Sequence, residues 1–96
     1  MNIRVKGYLT FRDAIGDITI LDNEAGSYRL RQLLEKLSNE HEESLGYKIF
    51  DPSDGMVREH IAVLVNGVHY SHLPDRLETG LNDGDEIAIF PPIAGG

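Results

Sequence analysis

The chain has 96 residues, no cysteine and a formal charge of −7, which fits one domain with a core large enough to fold without metal or disulfide. The missing thiol excludes disulfides, thiolate metal sites and a side-chain sulfur nucleophile, and the acidic balance argues against nucleic acid, whose phosphates require a basic surface. No apolar run approaches the ~20 residues of a membrane span, and residues 1–6 do not open a signal peptide, so a cytoplasmic protein with no membrane partner is expected.

Ile3, Val5, Gly7 and Leu9 alternate with Arg4, Lys6, Tyr8 and Thr10, the period of a strand with one buried face, over about residues 2–10. A short connection through Gly16-Asp17 leads to a second strand at 18–21, completing a hairpin. The period then changes. Leu30, Leu33, Leu34, Leu37, His41 and Leu45 fall at helical spacing, with Asn23 or Ser27 as candidate caps. The opposite helix face carries Arg31 with Glu35 and Lys36 with Glu40, each four apart.

Residues 46–59 lack a period and contain the turn signals Asp51-Pro52 and Asp54-Gly55, as a surface connection would. A buried-type strand at 61–65 runs into Asn66-Gly67, a hairpin turn signal, and a short strand at 68–70. Leu77 and Leu81 lie in an irregular segment, and the turn 82–85 launches a last strand at 86–90. Acids concentrate between Asp75 and Glu86, where Arg76 is the sole base; solubility and steering toward a basic partner both account for that.

One helix stripe has one packing partner, the sheet. This order implies an α+β chain of β-grasp, or ubiquitin-like, architecture: a mixed sheet of four to five strands with one main helix packed across one face. The domain is expected to occupy 1–90, followed by a flexible tail at 91–96.

The tail is the most informative stretch. Pro91-Pro92 ends any ladder, since proline has no N–H to give, and residues 91–96 can project about 20 Å when extended. Gly95 and Gly96 lack the Cβ that would block a narrow passage. At an average glycine usage of about 7%, two final glycines arise by chance in about 0.5% of chains. An α-carboxylate with a pKa near ~3.5 is ionised at neutral pH and can attack the α-phosphorus of ATP. The acyl-adenylate so formed lets a sulfur donor displace AMP, leaving a thiocarboxylate without any cysteine in the chain.

Elsewhere the signals are weaker. If Ile87 and Ile89 face the helix, Ala88 and Phe90 face away, as do Ala62 and Leu64 from the other strand; these four form a candidate docking patch with an exposed Phe90. His69-x-x-His72 lacks a third metal ligand, and Asp83-Gly84-Asp85 lacks the calcium-loop pattern. No metal site and no bound cofactor are expected, and there is no nucleophile–base constellation.

The run from Asn82 to Gly96, Asn-Asp-Gly-Asp-Glu-Ile-Ala-Ile-Phe-Pro-Pro-Ile-Ala-Gly-Gly, resembles the end of the molybdopterin-synthase small subunit and its sulfur-carrier relatives; Val65-Asn66-Gly67 and the Leu-rich helix extend the resemblance along the chain. The resemblance implies that an E1-like adenylating enzyme activates Gly96 with ATP and Mg²⁺ and that a sulfurtransferase delivers sulfur. It also implies that the tail, Pro91, Pro92, Ile93, Ala94 and Gly95, carries the thiocarboxylate into a large molybdopterin synthase subunit. In that scheme the chain is no enzyme on its own. Its longer 46–59 segment is similar to archaeal-type relatives, some of which are attached to proteins. Three alternatives remain: a modifier joined to lysines through Gly96; a carrier for thiazole, tRNA thiolation or a tungsten pterin; and a binding module with an inert tail.

Overall fold

Alternation decides the sheet. The computed structural model describes residues 2–21, 28–41, 49–51 and 53–91. Within them β1 (Asn2–Gly7) buries Ile3 and Val5 and turns Arg4 outward. β2 (Asp17–Leu21) pairs with it antiparallel, Val5 opposite Ile18. β3 (Ala62–Val65) and β4 (Val68–His69) form a hairpin whose turn residues, Asn66 at φ 51° and Gly67 at φ 85°, are both left-handed, the type I′ geometry that Asn-Gly favours. β5 (Glu86–Phe90) lies parallel to β1 on one side and antiparallel to β3 on the other. The strand order β2-β1-β5-β3-β4 therefore places the last strand in the middle of a mixed sheet, as the β-grasp architecture requires.

α2 (Leu30–Glu40) lays fully buried Leu30, Leu33, Leu34 and Leu37 into one core with Ile3, Val5, Val63, Ile87 and Ile89. At roughly 1.5–3 kcal/mol for each fully buried aliphatic side chain, this stripe fixes the helix on the sheet. At the helix start, Gln32 Oε1 accepts from the N–H of Arg29, the N-cap residue, at 2.8 Å. This satisfies one orphan donor, and arginine has no acceptor to complete the exchange. Asn23, Ser27 and Leu45 lie outside the described residues, and His41 closes the helix as its C-cap. The same start is tied to the segment before β5: Leu30 N–H donates to Thr79 O at 2.9 Å, Leu81 N–H to Tyr28 O at 2.8 Å, and Arg31 Nε to Glu78 Oε1 at 2.6 Å.

Several expectations are corrected. The first strand stops at Gly7, not at residue 10, because the chain turns into a short helix, α1 (Thr10–Ala14), that buries Phe11. A Cβ on Gly7 would overlap the Phe11 carbonyl group, lying 2.8 Å from its carbon, and would sit 3.2 Å from Ile15 Cβ. The glycine is thus what lets α1 close over β1. The 46–59 stretch is not purely a surface connection, since Ile49 and Val57 are core residues and Phe50 bridges to Val57. Buried Ser38 of α2 anchors this excursion by accepting from Ile49 N–H at 3.2 Å. Leu77 and Leu81 are likewise core, with Leu77 held in a 3₁₀ turn at Arg76–Glu78. Tyr70 belongs to a second 3₁₀ turn, Tyr70–His72, rather than to β4.

Candidate functional site at the end of the central strand

With α2 on one face of the sheet, the side chains of opposite parity form the other. In the registers that join β1, β5 and β3, Lys6 lies opposite Ala88, Ala88 opposite Leu64, and Phe90 opposite Ala62. Ala62, Leu64, Ala88 and Phe90 therefore share this face, and all four are half-buried. Phe90 is not the exposed ring expected from alternation: it stacks on Tyr8, with centroids 4.5 Å apart and planes at 10°. Tyr8 N–H donates to Ile89 O at 3.0 Å, which sets the two rings side by side.

Tyr8, Leu64, Ala88 and Phe90 line a shallow hollow of about 360 Å³, closed off by Asn66, Gly67 and Glu86; Ala62 is not part of its lining. Lys6 Nζ lies 3.7 Å from Glu86 Oε1, a half-exposed ion pair on the same face. The arrangement is an apolar floor with a charged margin, suited to contact with another protein. Tyr8 is the member that the sequence reading left out. Its parity with Arg4 and Lys6 pointed to this face, but its partnership with Phe90 depends on the parallel β1–β5 register.

At the other end of β5, most of the clustered acids have structural partners. Asp83 Oδ1 accepts from Asn2 N–H at 2.7 Å. Asp85 accepts from Asn66 Nδ2 at 2.9 Å and from Asn82 N–H at 2.8 Å. Asn66 Oδ1 accepts from Glu86 N–H at 2.9 Å while Asn66 N–H donates to Glu86 O at 2.8 Å. The Asp83-Gly84-Asp85 turn is thus a clamp on the strand's first residues, with Gly84 at φ 86°.

His69 Nδ1 accepts from Ser71 N–H at 3.2 Å and lies 2.9 Å from Ser71 Oγ, capping the 3₁₀ turn. That use occupies the Nδ1 lone pair within the turn. Far from the hollow, the hydroxyl and N–H of Ser53 hold the Asp51 carboxyl below the usual carboxylate range, with Arg58 adding to the effect. No helix of the described residues is long and apolar enough to cross a membrane.

The ladder of β5 ends at Phe90, and Pro91, the first residue assigned to the tail, is buried. Pro92, Ile93, Ala94, Gly95 and Gly96 lie outside the described residues. The ThiS family profile matches residues 10–96. The chain belongs to the ThiS family. It is 34% identical to small archaeal modifier protein 3 of Haloferax volcanii over 100% of both chains. The solution structure of small archaeal modifier protein 1 from Methanosarcina acetivorans superposes with a TM-score of 0.76 at 30% identity, covering 99% of this chain and 96% of that one. A Pyrococcus furiosus structure provisionally assigned as molybdopterin converting factor, subunit 1, gives 0.68 at 25% identity over 96% and 98%. The ThiS family and these relatives are ubiquitin-like sulfur carriers and modifiers, and the fold described above is theirs.

Proposed function

We propose that the chain is a sulfur carrier activated at the C-terminal carboxylate of Gly96, with the β-grasp domain at 1–90 presenting a tail at 91–96. The observation that carries this reading is the apolar Tyr8–Phe90 platform standing where the central strand gives way to Pro-Pro-Ile-Ala-Gly-Gly. A partner seated there receives residues that, fully extended, reach about 20 Å.

In this scheme a carboxylate oxygen of Gly96 attacks the α-phosphorus of ATP and pyrophosphate leaves. The E1-like partner supplies the nucleotide and Mg²⁺; this chain supplies the nucleophilic oxygen and the docking face. The terminal sulfur of a sulfurtransferase persulfide then attacks the acyl carbon and AMP leaves; a thiol reduces the resulting acyl disulfide, releasing the thiocarboxylate and leaving that thiol in a disulfide with the sulfurtransferase. The carrier acts in the cytoplasm as the small, non-catalytic subunit of a molybdopterin synthase, whose large subunit provides the catalytic side chains. The likeness to the Pyrococcus furiosus protein supports that destination.

A second reading, conjugation of activated Gly96 to lysines, is favoured by the full-length identity to the Haloferax volcanii modifier. The readings share adenylation and differ in the acceptor, sulfur or amine. The test is the intact mass of the chain after incubation with the adenylating enzyme, ATP, Mg²⁺ and a sulfur donor, beside a chain lacking Gly96. A mass gain equal to sulfur minus oxygen, confined to the full-length chain, supports the carrier. High-mass conjugates in cell extract support the modifier, and an unchanged mass in both overturns the two together.

A further inference from the structure

Leu9 is the most exposed large hydrophobic residue described, 58% accessible, and its backbone stands at φ 55°, ψ −127°. Phe11 N–H donates to Tyr8 O at 3.0 Å, so residues 8–11 form a tight turn with Leu9 in the first central position of type II′ geometry, where glycine fits best. Two preferences are broken at one residue: a branched side chain is held in a left-handed conformation, and its apolar surface is given to water. Strain of this kind collects at binding and switch sites when its surroundings hold it in place.

Those surroundings are specific. The preceding residue, Tyr8, is stacked on Phe90. Lys6, Tyr8 and Arg12 line a second hollow of about 340 Å³ with Gly7, Gly16 and Asp17. Asp17 pairs with Arg4 at 3.2 Å, while no described carboxylate lies within ion-pair distance of exposed Arg12. In a chain of charge −7, this corner joins apolar and cationic surface next to the strand that feeds the tail.

We propose that Leu9 is a contact residue for the adenylating enzyme, entering an apolar socket of that enzyme with a carboxylate beside it for Arg12. The inference rests on the activation of Gly96 proposed above, and it holds for carrier and modifier alike, because both are adenylated. An enzyme seated on the Tyr8–Phe90 platform meets the Leu9 turn along the same edge of the domain.

The test compares Leu9→Gly, Leu9→Met and Phe90→Ala in the full-length chain by calorimetric titration against the organism's own E1-like adenylating enzyme, with melting temperatures measured in parallel. Leu9→Gly relieves the left-handed strain, so it is expected to melt no lower than the parent. It is also expected to bind about tenfold more weakly, the loss of a substantial contact. Leu9→Met, which keeps apolar bulk, is expected to bind like the parent. Parental binding by Leu9→Gly alongside weakened Phe90→Ala would overturn the role of Leu9 and leave the docking face standing. Parental binding by both would overturn the face as well. A Leu9→Gly chain that melts lower and binds weaker would make the turn structural and also overturn the inference.

Discussion

The two ends of β5 are held by different physics. At its start, Asp83, Asp85 and Asn66 accept main-chain N–H groups from Asn2, Asn82 and Glu86, so the strand is fixed by directional hydrogen bonds to charged or amide oxygens. At its end, the contacts are Phe90 on Tyr8 and a β1 strand that stops at Gly7 so that α1 can fold over it. The first end specifies register; the second presents surface. A carrier needs both, because a tail is aimed only as well as the strand behind it is fixed, and a partner needs apolar area beside that tail to recognise.

This contrast can be broken from either side. The largest stability effect is expected from Gly7→Ala, whose Cβ meets the Phe11 backbone; overpacking of this kind costs about 3 kcal/mol, readable as a lower urea midpoint. Asn66→Ala removes an acceptor for Glu86 N–H and a donor to Asp85, and leaves alanine at φ 51°, for a loss of about 2 kcal/mol. Asn66→Gly recovers the backbone share of that loss in the same denaturation. Phe90→Ala removes a stacked ring, which destabilises by about 1 kcal/mol, and the activation proposed above predicts weaker binding to an adenylating enzyme as its larger consequence. The smallest effect sharpens the comparison by lying outside both ends. Asp51 has a lowered folded pKa, so its contribution is complete above the ordinary carboxylate value and disappears as pH falls through the lower folded value. Ser53→Ala removes the principal cause, and an NMR titration is expected to show the Asp51 midpoint rising while behaviour at neutral pH stays unchanged.

Much of this was legible in local pattern. Alternation placed Ile3 and Val5, Val63 and Val65, and Ile87 and Ile89 in the core; the four leucines of α2 declared the helix, and Asn66-Gly67 declared its turn. What escaped was short or non-local. α1 has five residues, too few to show a period, and its sign was a glycine inside an otherwise regular strand. Ile49 and Val57 are single anchors of an irregular excursion, so neither belongs to a repeating pattern. Ala62, Leu64, Ala88 and Phe90 were assigned to one face by parity, but Tyr8 joins them only through the pairing of the first strand with the last. The strain at Leu9 has no signature in composition, because a leucine in a glycine conformation looks like any other leucine until the backbone is seen.

That pairing of β1 with β5 has a consequence in time. Asn2 N–H closes on Asp83 across a separation of 81 residues, and β1 lacks its central neighbour until residues 86–90 have been synthesised. Contacts of such long range slow folding and delay its completion to the end of translation. A nascent chain halted before β5 has no sheet centre and no Tyr8–Phe90 platform. Completion of the sheet, and with it the Tyr8–Phe90 face, thus waits for the last strand to pair on both sides.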